Sequence, residues 1–132
     1  MGFRTKQIHA GVTPDPVTGA ILTPIYQSTT FVQDSVDDYM AKGFSYSRAG
    51  NPTVAAFEEK LAVLEGGAGA TAYGTGMSAT TAVMLALLDA GGHCIISDVV
   101  YGGTHRFATQ VMTRFGVEFS FVDTSDAANV SA

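Results

Sequence analysis

An α/β fold of the doubly wound type is predicted by three observations. Short apolar runs at Ala70–Tyr73, His93–Asp98 and Val117–Val122 alternate with helix-patterned stretches. Glycines punctuate the joins, at Gly74, at Gly91-Gly92 and at Gly116. The order is strand, helix, strand, helix, strand, helix start, the alternation that builds a parallel sheet with helices on its faces. Three parallel strands make half a sheet, and parallel sheets need both faces covered. The expectation is therefore the N-terminal piece of something larger.

Residues 1–33 carry Pro14, Pro16, Gly19 and Pro24 and keep no period for long. They are expected to form an extended arm, with Ile21, Leu22, Ile25 and Tyr26 as its apolar contact points. So long an irregular segment points to a function or a partner. A short helix is expected over 34–41, with Ser35 and Asp38 as a capping box and Gly43 as its stop. A polar and aromatic loop follows, Phe44 to Gly50. Asn51 then suits an N-cap and Pro52 the first helical position. Val54, Phe57, Leu61 and Leu64 share one face of that helix and are expected in the core, and Gly66-Gly67 ends it.

The central stretch is Ala70 to Ala79: a strand, the turn Tyr73-Gly74-Thr75-Gly76, and the opening of a helix that runs to Leu88. The strand His93–Asp98 leads into the loop Val99–Thr104. A helix over 104–114 with Gly116 past its end precedes the strand Val117–Val122. Ser125 or Asp126 then caps a further helix.

The composition narrows the partners. The chain has 132 residues, is 46% hydrophobic and only 14% charged, and carries a net charge of −5. The low charge suggests large buried faces at subunit contacts, and the negative balance argues against nucleic acid. The single cysteine, Cys94, sits in an apolar run and is expected in the core, so no disulfide forms within the chain. This suits a reducing compartment. No targeting signal opens the chain and no run is long enough to span a bilayer. The expected location is the cytoplasm.

The chemistry centres on the turn at Gly74–Ser78. A glycine turn that opens a helix points free N–H groups at one spot, where the helix dipole adds positive charge. Such a spot cradles phosphate. Gly74-x-Gly76-x-x-Ala79 also fits a dinucleotide fingerprint, with Asp98 roughly 20 residues on as a ribose-binding acid. A plain strand-to-helix turn remains a third reading. Ligands of open α/β sheets sit beyond the carboxyl ends of the strands, which selects three loops: Gly74–Ser78, Asp98–Thr104 and Asp123–Asp126. Tyr101 in the second loop is placed to stack on a flat ring. Tyr46 and Arg48 pair a phenol with a guanidinium fork, which is phosphate-binding chemistry. His9, His93 and His105 are dispersed, so no metal site is expected. His93, opening a strand, is read as structural.

Several runs together resemble the Cys/Met-metabolism family of pyridoxal-phosphate (PLP) enzymes. They are Tyr46-Ser47-Arg48-Ala49-Gly50-Asn51-Pro52-Thr53, Leu64-Glu65-Gly66-Gly67, Thr75-Gly76-Met77-Ser78-Ala79 and Tyr101-Gly102-Gly103-Thr104-His105-Arg106. The openings His9-Ala10-Gly11 and Pro24-Ile25-Tyr26-Gln27-Ser28-Thr29 agree in order and spacing. The resemblance implies an α/β fold made of an N-terminal arm plus the first half of the aspartate-aminotransferase-like (fold type I) large domain. Residues 1–50 would be the arm contacting neighbouring subunits, and 51–132 the first, incomplete part of the PLP-binding domain. The cofactor would be pyridoxal 5'-phosphate, bound by Tyr46, Arg48, Gly76, Met77 and Tyr101. The resemblance gives the Gly76 and Met77 amides to the cofactor phosphate and the Tyr101 ring to the pyridine. It sends Tyr46 and Arg48 across a dimer interface. Tyr101 and Tyr46 are the candidate catalytic groups. Asp98 would then lose any ribose role.

The implied reaction is γ-elimination or γ-replacement on a sulfur or homoserine-derived amino acid, of the cystathionine γ-lyase or γ-synthase type. Gly103 leans that way, because methionine γ-lyases typically carry cysteine at this point. Methionine γ-lyase and O-acetylhomoserine sulfhydrylase are the alternatives. From other classes come a nucleotide-dependent oxidoreductase using Gly74-x-Gly76, and a non-catalytic fragment. Family members are usually tetramers built as dimers of dimers. The family's Schiff-base lysine, the acid beside the pyridine nitrogen and the substrate-carboxylate arginine lie further along the family's chain. Lys6, Lys42 and Lys60 do not match that lysine. The isolated chain is therefore expected to be inactive and to need the remainder of the enzyme.

Overall fold

Asn51 and Pro52 open the longest helix as their types demand. The Asn51 side chain accepts from the Thr53 amide and Pro52 fills the first turn, where no donor is needed. In the computed structural model, residues 1–37 and 43–131 are described. The described elements are α1 (Phe3–His9), α2 (Pro52–Glu65), α3 (Gly76–Leu87), β1 (His93–Ser97), α4 (Gly102–Gln110), a 3-10 turn (Met112–Phe115), β2 (Glu118–Val122) and α5 (Ala128–Ser131). Half of the helix expected over 34–41, including Asp38 of its capping box, falls on residues 38–41, outside the described residues. The chain divides into two compact units, Met1–Ala72 and Tyr73–Ala132.

In the first unit, the arm is not wholly extended as expected: Phe3–His9 forms α1, which packs on α2. The breakers that argue for an arm begin only at Pro14, so none of them opposes a helix over the first residues. Lys60 Nζ donates to the Ile8 carbonyl (3.3 Å), which satisfies one orphan acceptor at the end of α1. Gly11 has φ +64 and lies against the α2 backbone. A Cβ there would stand 2.7 Å from the Ala56 carbonyl oxygen and 2.9 Å from the Lys60 nitrogen. The arm then turns about Asp15, whose Oδ1 accepts from the Val17 and Thr18 amides and the Thr18 hydroxyl. Tyr26 Oη reaches Asp15 Oδ2 at 3.3 Å. Further on, Thr29–Phe31 runs antiparallel to Ser45–Ser47, with Phe31 N donating to Ser45 O and Ser47 N to Thr29 O, both at 2.9 Å.

The stripe on α2 does not form a core within this unit. Val54 is 43% and Phe57 53% exposed, and Leu61 and Leu64 are half-buried. The helix has 14 residues and α1 only seven, which is too short to cover the stripe. α2 ends where Gly66 adopts φ +67, the left-handed stop that glycine makes cheaply.

The second unit is a β1–α4–β2 crossover with α3 packed against α4. β1 and β2 are parallel, in register from His93↔Glu118 to Ser97↔Val122. The core holds Met84, Ile96, Ala108, Met112 and Val117, with Leu88, Val100, Phe107, Phe119 and Phe121 around them. Cys94 is half-buried rather than buried and packs on this core from the strand. His93 Nε2 meets Ser120 Oγ at 2.8 Å, the structural role its position suggests.

Two further elements differ from the reading of the sequence. The expected strand at Ala70–Tyr73 makes no ladder, so the described sheet has two strands and not three. The Ala72 amide instead donates to Glu58 Oε1 at 2.7 Å. A carboxylate has taken the place of a neighbouring strand's carbonyl. The helix expected over 104–114 starts earlier, at Gly102, and breaks at Val111 into the 3-10 turn. Thr109 and Thr113 hydroxyls each bond back to the carbonyl four residues before, which bends helices. Gly116, at φ +79, closes the turn as expected. Asp126 caps the last helix by accepting from the Ala128 amide.

Candidate cofactor site

The turn before α3 does what its residues suggest. Thr75 is the N-cap, in extended backbone, and its hydroxyl accepts from the Ser78 amide at 3.1 Å. It also meets Ser78 Oγ at 2.9 Å. Gly76 and Met77 are the first two residues of α3, so their N–H groups have no helical acceptor. The positive end of a 12-residue helix lies at the same place.

A cleft of about 460 Å³ opens there, lined by Thr75, Gly76, Met77, Thr80, Tyr101 and Thr104. Among the described residues no charged side chain lines it. Tyr101 is the N-cap of α4 and reaches the cleft from the loop after β1, 70% exposed. Its carbonyl accepts from the His105 amide at 3.1 Å, which ties it to the helix it precedes. Gly103 makes room for the ring. A Cβ at Gly103 would collide with Tyr101 Cε1 and stand 3.1 Å from both Tyr101 Cδ1 and Met77 Sδ. Thr104 Oγ1 contacts Met77 Sδ at 3.7 Å, which joins the two loops that form the cleft.

The structure thus brings Gly76, Met77 and Tyr101 together. Of the three loops at strand ends, Asp123–Asp126 does not line the cleft, and neither does Asp98. Asp98 donates its amide to the Val122 carbonyl at 3.0 Å and simply continues the ladder. With no strand running into Gly74, the strand–turn–helix context of the dinucleotide fingerprint is missing too. Thr75 and Thr104 lie in two of the loops that the sequence selected, though neither was named for the site, and Thr80 is a cleft residue that sequence reasoning missed. Helical spacing offered a signal: Thr80 lies four residues after Gly76, on the same face.

Tyr46 and Arg48 form a pair in the first unit. Arg48 Nη2 donates to Tyr46 Oη at 2.7 Å, and the guanidinium carbon sits 5.1 Å from the centre of the Tyr46 ring. Among the described residues the remaining guanidinium donors meet no acceptor, and Tyr46 is 38% exposed. A phenol and a guanidinium held together in this way offer two donors to one anion.

The chemistry of a pyridoxal-phosphate ligand fits these residues. Free first-turn amides match the phosphate, and an uncharged cleft with an aromatic wall matches the flat ring. Among the described residues no group of three or more His, Cys, Asp or Glu side chains could hold a metal ion, and no helix is long and apolar enough to cross a membrane.

Comparison with known proteins decides the family. The family model described as Cys/Met metabolism PLP-dependent enzyme matches residues 4–132. The chain belongs to this family. It is 47% identical over 131 residues to cystathionine gamma-synthase of Mycobacterium tuberculosis, covering 99% of this chain and 34% of that protein. It is 44% identical over 130 residues to cystathionine gamma-lyase of Bacillus subtilis, covering 98% and 34%. The crystal structure of metB from Corynebacterium glutamicum superposes with a TM-score of 0.89 at 44% identity, over 98% of this chain and 34% of that one. The chain therefore spans about a third of the length of the curated relatives it matches. Family membership removes the nucleotide-dependent oxidoreductase as a reading, and the fold is that of the N-terminal part of these PLP-dependent chains.

Proposed function

We propose that this chain supplies the phosphate cradle and the ring-stacking tyrosine of a PLP-dependent enzyme. That enzyme would act by γ-elimination or γ-replacement on a sulfur or homoserine-derived amino acid. The observation that carries the reading is the cleft in which two unpaired helix-start amides face Tyr101. The relatives named cystathionine gamma-synthase and gamma-lyase support the reaction class.

When bound, pyridoxal phosphate supplies an electron sink for negative charge at Cα and then Cβ of the amino acid. The residues of this chain do the rest of what is assigned to it. The amides of Gly76 and Met77 donate to the phosphate and fix its position. The Tyr101 ring covers one face of the pyridine and keeps water from it. Its hydroxyl holds or moves a proton at the substrate, as acid or base toward the departing γ-group. Tyr46 and Arg48 donate to the phosphate in a neighbouring subunit's site, and Tyr46 Oη is the second candidate proton carrier. The arm packs on neighbouring subunits of a dimer-of-dimers in the cytoplasm.

The chain covers a third of its relatives, and neither Lys6 nor Lys60 matches the family's cofactor-binding lysine. Lys60 Nζ is turned to the Ile8 carbonyl. The remaining catalytic groups would come from the rest of a full-length enzyme, and the isolated chain would be inactive. The test is borohydride reduction with pyridoxal phosphate, followed by intact mass, on the 132-residue chain and on the full-length enzyme. A reduced adduct and turnover of cystathionine or an O-acylhomoserine only in the full-length enzyme support the reading. Turnover by the 132-residue chain refutes it.

A further inference from the structure

Among the described residues of the first unit, Asn51 is the one buried polar residue, 8% exposed, and it is tied in three directions. Its Oδ1 accepts from the Thr53 amide at 2.9 Å, which is ordinary capping of α2. Capping uses only the oxygen. The Nδ2 group donates to the Tyr26 carbonyl and to Ser47 Oγ, each at 2.9 Å. A serine, threonine or aspartate would cap as well but could not make both of these bonds.

One bond reaches the segment that holds the Tyr46–Arg48 pair and the other the segment that leads into its bridge partner, Thr30. Ser47 lies between Tyr46 and Arg48, and its hydroxyl donates in turn to the Ser28 carbonyl. Tyr26 leads into Thr29–Phe31, which pairs with Ser45–Ser47. Thr53 closes the ring: its hydroxyl accepts from the Tyr26 amide at 2.9 Å and donates to the Pro24 carbonyl at 3.0 Å. The loop is thus tied to the first turn of α2 through one amide group, and the Tyr46 and Ala49–Gly50 turn is set between them.

We infer that Asn51 is a positioning residue for the phosphate contact proposed for Tyr46 and Arg48. Its amide fixes Ser47 and hence the spacing and direction of the two flanking side chains. Helix capping is its other task, and the two tasks use different atoms. The inference rests on the cofactor reading above, and the test separates the two.

Three variants of the full-length enzyme decide it: Asn51→Asp, Ser47→Ala and Arg48→Ala. Asn51→Asp keeps the cap acceptor and loses both donors. Ser47→Ala keeps the cap untouched and removes the acceptor of the Asn51 amide, so it stays informative if Asn51→Asp folds poorly. Pyridoxal phosphate affinity is read by absorbance titration of the apo-enzyme, and pyridoxal, which lacks the phosphate, is titrated in parallel. Ser47→Ala and Asn51→Asp are expected to weaken pyridoxal phosphate about tenfold, the loss of one or two hydrogen bonds. Pyridoxal binding should not change, which a general loss of fold would not spare. Arg48→Ala should show the same selective loss. If Arg48→Ala weakens the phosphate form and Ser47→Ala and Asn51→Asp do not, the positioning role is wrong and the cofactor reading stands. If Arg48→Ala has no effect on the phosphate form, the cofactor reading of this pair fails and the inference with it.

Discussion

Substituting Gly103 by alanine tests the placement of Tyr101 without touching a polar group. The added Cβ would collide with Tyr101 Cε1 and press on Met77 Sδ at 3.1 Å. Both obstacles are side chains, so the backbone need not move. Tyr101 is 70% exposed and has open space to swing into. The swing costs about 0.5–1.5 kcal/mol if the ring leaves its rotamer well. Alanine for glycine in the first turn of α4 returns about 0.5–1 kcal/mol. The two nearly cancel, so the melting temperature of the full-length enzyme should move by no more than a few degrees. The site fares worse. Losing a stacked ring forfeits about 0.5–1.5 kcal/mol, which is roughly a two- to tenfold loss of pyridoxal phosphate affinity. Absorbance titration of the apo-enzyme and a thermal melt read the two quantities. Unchanged cofactor affinity would refute the claim that Gly103 sets the Tyr101 ring over the cleft. A large fall in melting temperature would refute the claim that the ring yields freely.

Other substitutions probe the two units. Gly11→Ala meets backbone rather than side chain, at 2.7 Å from Ala56 O, and needs a left-handed φ. It should cost about 2–4 kcal/mol in chemical denaturation, from overpacking and φ together. Met112→Ala removes the largest fully buried side chain, at 1% exposure, and should cost about 2–5 kcal/mol. Asp15 titrates below the ordinary aspartate range, because the Thr18 amide, then the Thr18 hydroxyl, donate to its charged form. Its folded value is the lower one, so its contribution to stability is present above the unfolded value of 3.8 and is lost as pH falls through the folded value. NMR titration of the Asp15 carboxyl should show this, and in Asp15→Asn the acid limb of the stability profile should flatten.

Much of the fold was legible because local chemistry and tertiary packing agree. Asn51 with Pro52, Thr75 with Gly76, and Gly66 and Gly116 each mark a helix end that the backbone then takes. β1 and β2 were legible as apolar runs that pair with each other. The misses have a common cause in partners that a local pattern cannot reveal. Ala70–Tyr73 has the composition of a strand but its amide at Ala72 goes to Glu58. The α2 stripe has core spacing, yet among the described helices of its unit it is seven-residue α1 that packs on it, and Val54 and Phe57 stay exposed. α1 was hidden by the breakers that follow it. At the site, the helix-start amides and Tyr101 could be read from glycine placement and loop position. Of the threonines lining the cleft, Thr75 and Thr104 lie in the loops the sequence selected, whereas Thr80 had only its spacing from Gly76, since a hydroxyl on a helix face is ordinary until another loop closes over it. The collision that makes Gly103 necessary is likewise a matter of where the Tyr101 ring lies.

The most direct measurement is a crystal structure of the full-length enzyme with pyridoxal phosphate bound. The account predicts the cofactor phosphate within hydrogen-bond distance of the Gly76 and Met77 amides, with the Tyr101 ring stacked on the pyridine. A phosphate held elsewhere, or a cofactor ring away from Tyr101, would contradict it.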